Sequence, residues 1–184
     1  GNLVGIDLHR GTELWNLVVA ESRSRNEVDG LIDIDADPIV LGEMLVVAAY
    51  QRGTNAYSLR NLERVWRARH SVLKNLAVTD SGLFMTDDEG VVIRLNPLDG
   101  ALVWRQTGLH GRGVSGPVVL DNHLVLVGDY QGFVHILDAE KGEFVGRSST
   151  GRGAVLTLIA QGDRQVFVVS EDGSVSAWTL KVRN

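Results

Sequence analysis

The sequence predicts an all-β fold, namely part of a β-propeller with about four blades of four antiparallel strands each. Three observations lead to this prediction: a repeat of about 40 residues, a series of short strand-like runs, and turn residues between the runs. The repeat is marked by glycines that open short alternating segments at intervals of 52, 37, 42 and 41 residues, and these are Gly1, Gly53, Gly90, Gly132 and Gly173. Because a single blade cannot bury both of its faces, neighbouring copies must stack.

A second marker follows the first four of these glycines, as an Asp, Gly and Trp spaced four residues apart. The glycine provides a left-handed turn between the third and fourth strands, and the tryptophan supplies a large apolar surface at the outer edge of the blade. The spacing persists where residues change, and the four sets are Asp7, Gly11 and Trp15; Ser58, Leu62 and Trp66; Asn96, Gly100 and Trp104; Asp138, Gly142 and Gly146.

Runs such as MLVVAAY, HLVLVGD and QVFVVSE are rich in β-branched residues and are bounded by Gly, Asp and Asn, which is typical of strands. We label the four strands of a blade A to D; the clearest copy places them at 116–120, 123–129, 132–138 and 143–148. The whole chain is expected to hold 17 strands. All three prolines, Pro38, Pro97 and Pro117, fall in turns or at strand starts, where a missing N–H is harmless.

We expect residues 1–184 to form a single partial propeller domain. It comprises a blade remnant at 1–20, a linker at 21–37, complete blades at about 38–70, 75–108 and 114–149, and a partial blade at 154–180. The chain opens and closes within a blade, so we expect it to be a piece of a longer propeller. Exposed blade faces and sheet edges would then make the piece self-associate, unless it is one portion of a nicked propeller.

The composition, with 44% hydrophobic and 22% charged residues, is that of an ordinary globular domain. A net charge of −5 gives no basic footprint for nucleic acid. No apolar run approaches the roughly 20 residues of a membrane helix. The absence of cysteine excludes disulfides and thiolate metal sites within these residues and leaves the redox compartment open.

The step from Asp7 through Gly11 to Trp15 resembles the blade motif of quinoprotein-type propellers. Within that group, the stretch EVDGLIDIDADPIV, the stretch GVSGPVVLDNHLVLVGDYQGFVHILDAEKGEFVG and the closing EDGSVSAW resemble the BamB family, propeller lipoproteins of the outer-membrane β-barrel assembly machinery. The resemblance covers essentially the whole chain. It implies that the chain is the C-terminal half of an eight-bladed propeller.

The resemblance implies a non-enzymatic scaffold that binds the POTRA domains of BamA and contacts other Bam subunits. Unfolded outer-membrane proteins are a further expected partner, and no cofactor is expected. The implied location is the periplasmic face of the outer membrane. Members of the family are held there by a lipid on an N-terminal cysteine, and this sequence contains no cysteine.

The candidate docking site is the long D–A segment, which joins strand D of one blade to strand A of the next, at 21–37. Asp33, Asp35 and Asp37 alternate with Ile34 and Ala36, so an extended backbone would point the three carboxylates to one side. On the residues alone, this row is either a solvated acidic loop or a receptor for Arg or Lys of a partner.

The family resemblance favours the receptor. BamB-like proteins engage BamA through an L-S-D-V-D segment, which matches Leu31, Asp33 and Asp35 in LIDID. Gly30 stands where the family commonly has Arg. Arg112 and Arg152 occupy equivalent D–A positions in two successive blades, where the flanking glycines indicate either a flexible start of the next blade or secondary partner contacts.

Two other function classes fit the sequence less well. A quinoprotein dehydrogenase needs a pocket of Arg, Trp and carboxylate or amide groups, often with a vicinal Cys pair; here Cys is absent and the five histidines show no ligand spacing. We therefore predict no catalytic, cofactor-binding or metal-binding residue, and we interpret His135, in mid-strand, as a packing residue.

A generic interaction propeller of the WD40 type would carry G-H and W-D dipeptides, and these are not found.

Overall fold

The computed structural model describes residues 1–19, 34, 36–49, 53–70, 72 and 74–180. These residues contain 17 β-strands and no helix, which confirms the all-β prediction, and so none of them belongs to a helix that could span a membrane. The strands are β1 (Asn2–Ile6), β2 (Glu13–Val18), β3 (Ile39–Leu41), β4 (Met44–Ala49), β5 (Gly53–Ser58), β6 (Arg64–Ala68), β7 (Ala77–Thr79), β8 (Gly82–Thr86), β9 (Val92–Leu95), β10 (Leu102–Gln106), β11 (Val118–Leu120), β12 (Leu124–Gly128), β13 (Phe133–Asp138), β14 (Phe144–Ser149), β15 (Val155–Gln161), β16 (Gln165–Ser170) and β17 (Val175–Thr179).

The chain divides into two compact units, Gly1–Leu73 and Lys74–Asn184. In the first unit, β1 and β2 form an antiparallel pair, and β3 to β6 form a four-stranded antiparallel sheet in chain order. Leu17 of β2 packs with Leu45, Val47 and Tyr57 of the larger sheet. The two sheets of this unit therefore share one apolar core.

The second unit holds three antiparallel sheets, formed by β7–β10, β11–β14 and β15–β17. Phe84 of the first sheet packs with Val125 and Leu137 of the second in one core. Leu126 of the second sheet packs with Leu158 and Val168 of the third in another. The middle strands β8 and β12 are buried along nearly their whole length, and for β12 the cause is a sheet packed against each face. The outer strands β10 and β14 are mostly exposed.

The A–B turn after β11 shows how local sequence closes these hairpins. Asp121 and Asn122 both adopt a positive φ, at 51° and 53°, which is the conformation of a type I′ turn. Asp and Asn tolerate this region better than other residues with a side chain. The N–H of His123 donates to the carbonyl of Leu120 at 3.2 Å across the turn, and three residues connect the paired ends Leu120 and Leu124.

The first residue of the Asp, Gly and Trp step organises the C–D turn. The Oδ1 atom of Asp138 accepts hydrogen bonds from the N–H groups of Glu140 and Lys141, both at 2.8 Å. Asp7 makes the same pair of contacts in the first unit. These side-chain contacts satisfy backbone donors that have no strand partner.

The glycine of the step is left-handed, as the sequence predicts: φ is 66° at Gly11, 71° at Gly100 and 73° at Gly142. Where the glycine is lost, Leu62 adopts the same conformation, with a φ of 59°. That conformation costs a residue with a side chain about 1–2 kcal/mol. Leu62 packs against the core of the first unit, which offsets part of this strain.

A β-bulge lies one residue before the Trp position in every strand D that the structure describes. In β10, Leu102 pairs with Leu95 and Trp104 pairs with Arg94, so Val103 has no partner in the register. The same irregularity occurs in β2, β6 and β14, and the four unpaired residues are 48–63% exposed: Leu14, Val65, Val103 and Val145. Because a bulge interrupts the row of free backbone groups, each edge is a poor template for a further strand.

Trp104 joins its blade to the next one. Its Nε1 donates to the carbonyl of Ala139 at 3.1 Å, and its ring lies against Gly142. The side-chain amide of Gln106 donates to the carbonyl of Gly142 at 2.8 Å. The C–D turn of one blade is thus held by strand D of the blade before it.

The fourth copy of the step lacks its tryptophan, because Gly146 stands at that position. Trp178 of β17 packs instead against the core between the second and third sheets of this unit. Trp178 lies five residues after the blade glycine Gly173, which is the position that Leu137 holds one repeat earlier. The large aromatic side chain at this pair of sheets therefore comes from the following blade.

We expect Gly142→Ala to destabilise the protein by about 2 kcal/mol or more, because the left-handed backbone is strained for alanine and the new methyl group would lie 2.6 Å from the Trp104 ring. Urea unfolding followed by tryptophan fluorescence measures the loss. Gly162→Ala is the matched control, since Gly162 has a φ of 59° and no heavy atom within 4 Å of the added carbon. Equal losses in the two variants would contradict a role for the Trp104 contact.

Candidate functional site

The B–C turns of the second unit are closed by equivalent backbone hydrogen bonds and lie beside the D–A segments. In the second sheet, the N–H of Asp129 donates to the carbonyl of Phe133 at 2.9 Å, and Gly132 has a φ of 79°. The N–H of Tyr130 donates to the carbonyl of Arg112 at 3.1 Å, which ties the turn to the D–A segment before this blade. Turn and segment form one loop edge on a rigid sheet, a common location for binding residues.

Asp129 is the centre of a buried polar network at this loop edge. Its carboxylate is fully buried, and Oδ1 accepts the N–H groups of Gln131 at 2.9 Å and Phe133 at 3.0 Å. Its Oδ2 accepts from Nε of Arg112 at 2.7 Å and lies 2.8 Å from Nε2 of His135. Arg112 also donates to Oε1 of Gln131 at 2.6 Å. The D–A segment, the B–C turn and β13 are thus joined at one carboxylate.

Burial alone would raise the pKa of Asp129. The hydrogen bond with the His135 ring, the backbone N–H of Phe133 and the Arg112 guanidinium outweigh burial and hold the pKa below its ordinary value. The carboxylate is therefore charged at neutral pH. Its contribution to stability is present above the ordinary carboxyl pKa of about 4 and is lost as the pH falls through the lowered value.

The sequence predicts a packing role for His135 and does not indicate a contact with Asp129. The ring is 5% exposed, so it does pack, but it also contacts the Asp129 carboxylate and lies 6.0 Å from the ring of Phe144. The signal available in the sequence was a histidine three residues after a blade glycine, on the strand that leaves the B–C turn. The sequence alone does not show the contact, because it depends on the turn conformation that brings the Asp129 carboxylate to the His135 ring on β13.

Arg152, one blade later, makes the equivalent contact on the surface. Its guanidinium lies 3.2 Å from Oδ2 of Asp172, the third residue of its B–C turn, just as Arg112 contacts the third residue Gln131. The side chains of Arg152 and Asp172 are 54% and 41% exposed. Hydrogen bonds from the Ser174 hydroxyl and N–H, aided by Arg152, lower the pKa of Asp172. Ser170 replaces Asp129 in this blade, so the buried network is not repeated.

The acidic segment of the first unit is described only in part. Leu31, Asp33 and Asp35 lie outside the described residues, so their role stays a prediction. Ile34 packs against the core that contains Leu17 and Tyr57, and Ala36 is 2% exposed. Asp37 is exposed. Among the described positions, the apolar residues therefore face the core and the carboxylate faces outward.

Within the described residues, no three His, Asp or Glu side chains are close enough to hold a metal ion together. The arrangement at this loop edge offers hydrogen bonds, paired charges and exposed apolar side chains.

Comparison with known proteins identifies the family. A family model described as outer membrane protein assembly factor BamB matches residues 1–106 and 88–182. The chain belongs to the BamB family. The identification from the Asp, Gly and Trp step and the LIDID stretch is thereby confirmed.

Individual relatives agree with this assignment. The outer membrane protein assembly factor BamB of Legionella pneumophila is 33% identical over 176 residues, which cover 96% of this chain and 45% of that protein. The crystal structure of BamB from Moraxella catarrhalis matches with a TM-score of 0.87 and 27% identity, over 98% of this chain and 53% of that one. The chain thus spans about half the length of the BamB proteins it matches.

A more distant match concerns the fold alone. The quinohemoprotein alcohol dehydrogenase of Comamonas testosteroni aligns with a TM-score of 0.55 and 22% identity, over 64% of this chain and 21% of that enzyme. BamB proteins and this enzyme therefore share a blade architecture, and a shared architecture does not carry a shared activity.

Replacing Asp129 by alanine should destabilise the protein by about 3 kcal/mol, because Arg112 and His135 would lose their partner in a buried site. Thermal and urea unfolding at pH 7 measure this loss. The difference from the parent protein should shrink as the pH falls below about 4, where the carboxyl group protonates in the unfolded chain, and should vanish below the lowered pKa of the folded protein. Asp172→Ala removes the equivalent exposed pair and should cost far less. A comparable loss in both variants, or a loss that does not depend on pH, would count against the network.

Proposed function

We propose that the chain is part of a non-enzymatic scaffold of the outer-membrane β-barrel assembly machinery. In this role it docks the POTRA domains of BamA and aids the folding and insertion of outer-membrane proteins. The observation that carries the proposal is membership of the BamB family, since the family model described as outer membrane protein assembly factor matches along nearly the whole chain. The named relatives support the same role.

The proposed docking site is the segment of Leu31, Asp33, Asp35 and Asp37. Support comes from the described neighbours: Ile34 and Ala36 are held by the core, and Asp37 is exposed. If the alternation continues through the segment, the aspartates form a row anchored by the apolar residues between them. A row of carboxylates on an anchored backbone suits bidentate contacts with Arg or Lys of a partner.

Of the two arginines considered as secondary contacts, Arg152 is the better candidate. Its guanidinium is about half exposed, and its partner Asp172 is exposed too, so a competing carboxylate can reach it. Arg112 is engaged by Asp129 and Gln131 and is 26% exposed. We propose that Arg112 orders the loop edge, while Arg152 contributes to binding.

The remaining partners and the location follow from the same proposal. The scaffold would contact other Bam subunits and unfolded outer-membrane proteins at the periplasmic face of the outer membrane, with a lipid anchor of the family type. The alternative is a dehydrogenase that uses the shared blade architecture. A quinone absorption band in the purified protein, or oxidation of alcohols or sugars, would favour the alternative.

Charge reversal at Asp33 and Asp35 tests the docking site. The double variant D33K/D35K of the full-length protein should bind purified BamA POTRA domains about tenfold more weakly or worse, because each carboxylate contact becomes a repulsion. Biolayer interferometry at two salt concentrations measures the dissociation constant and its salt dependence.

The matched control is E140K/D163K, which makes the same charge change at exposed positions in a C–D turn and an A–B turn, on the opposite loop edge. Its affinity should equal that of the parent protein, and circular dichroism should be unchanged in both variants. Unchanged affinity in D33K/D35K would overturn the docking assignment. Equal weakening in both variants would indicate a nonspecific charge effect.

A further inference from the structure

A groove in the second unit lies between the first half of the D–A segment that follows β10 and the outer strand β14. Its volume is about 480 Å³, which lies in the range of ligand-binding clefts. The side chains that line it are Leu109, Arg112, His135, Phe144, Val145 and Arg147. Gly108 leaves room for the Phe144 ring, since a methyl group there would lie 2.8 Å from that ring.

The apolar part of the groove is exposed. Phe144 is 44% exposed and Val145, the unpaired residue of the β14 bulge, is 57% exposed. The bulge turns Val145 out of the sheet register, so the two apolar side chains are presented at one edge of the groove. Adjacent exposed apolar side chains beside a cleft are typical of a surface that receives a partner.

The charge of the groove is positive. Its charged side chains are Arg112 and Arg147, and the described residues that line it include no Asp or Glu. Arg112 and His135 share the carboxylate of Asp129, which lies behind them. Arg147 stacks over the ring of Phe133, at 4.6 Å from its centroid, and forms no ion pair with any described residue. The uncompensated positive charge of the groove therefore lies at Arg147.

Stacking on the Phe133 ring also fixes the position of the Arg147 guanidinium. A guanidinium held over an aromatic face keeps its N–H edge available to a second partner in the plane of the group. The pair of a fixed cation and an adjacent apolar wall suits a carboxylate placed next to an apolar side chain. The backbone groups along β14 do not offer a regular strand edge because of the bulge, so side-chain contacts must supply the specificity.

We propose that this groove binds an extended peptide segment of a partner protein that carries an acidic residue next to an aromatic or aliphatic one. The apolar side chain packs against Phe144 and Val145, and the carboxylate pairs with Arg147. This surface is separate in sequence from the acidic segment at 31–37 and has the opposite charge.

The probe is the synthetic peptide acetyl-Gly-Asp-Phe-Gly-amide, titrated into the full-length protein with labelled Leu and Val methyl groups. We expect the methyl resonances of Leu109 and Val145 to shift in a saturable way. Acetyl-Gly-Lys-Phe-Gly-amide, in which the carboxylate becomes a cation, should bind about tenfold more weakly.

Two exposed arginines provide matched variants. R147E should weaken binding of the Asp-Phe peptide by about tenfold or more, whereas R105E should leave it unchanged. Arg105 follows the Trp position in β10 just as Arg147 follows Gly146 in β14, but it does not line the groove. R105E should keep the unfolding midpoint of the parent protein, and R147E should lower it only slightly, because its exposed side chain loses only the stacking contact with Phe133.

Three outcomes would overturn the proposal. The first is no shift of the Leu109 and Val145 resonances, and the second is unchanged binding in R147E. The third is an equal response to sodium acetate or inorganic phosphate alone, which would assign the groove to a small anion rather than to a peptide.

Discussion

Face-to-face packing of neighbouring sheets is the constraint on which the other features of this molecule depend. Strands such as β8 and β12 are buried almost throughout, so a blade by itself would leave two apolar faces in water. Because the next sheet must lie against the first, the D–A segment has to cross from an outer edge to the first strand of the next blade. This path carries Leu109 and Val114 into the shared core and brings Arg112 to Asp129.

The repeated Asp, Gly and Trp step divides this task among its residues. The carboxylate closes the C–D turn, the glycine allows the left-handed backbone, and the tryptophan reaches the following blade. Where strand D carries Gly146 in place of the tryptophan, Trp178 of the next sheet packs against the core between the two sheets. At the second copy of the step, Leu62 replaces the glycine and keeps the left-handed backbone, and its side chain packs against the core of the first unit.

The two proposed binding surfaces have opposite charges. The acidic segment at 31–37 has apolar residues held by the core of the first unit, and the groove beside β14 has a cation held by an aromatic ring in the second. In the groove, the charged group is placed by packing on an aromatic ring rather than by a long flexible chain. Such placement lowers the entropy cost of binding and favours specificity.

The sequence by itself determined the fold class, the repeat, the turn residues and the family, because each depends on local periodicity or on short motifs. Gly11, Gly100 and Gly142 were assigned to left-handed turns, and Pro38 and Pro117 to strand starts, from residue type alone. Only the tertiary structure decided the bulge at Val145, the burial of Asp129 under Arg112 and His135, and the groove at Arg147. These features arise where residues distant in sequence meet across strands and blades, and their positions depend on register and on packing between sheets, which a one-dimensional pattern does not encode.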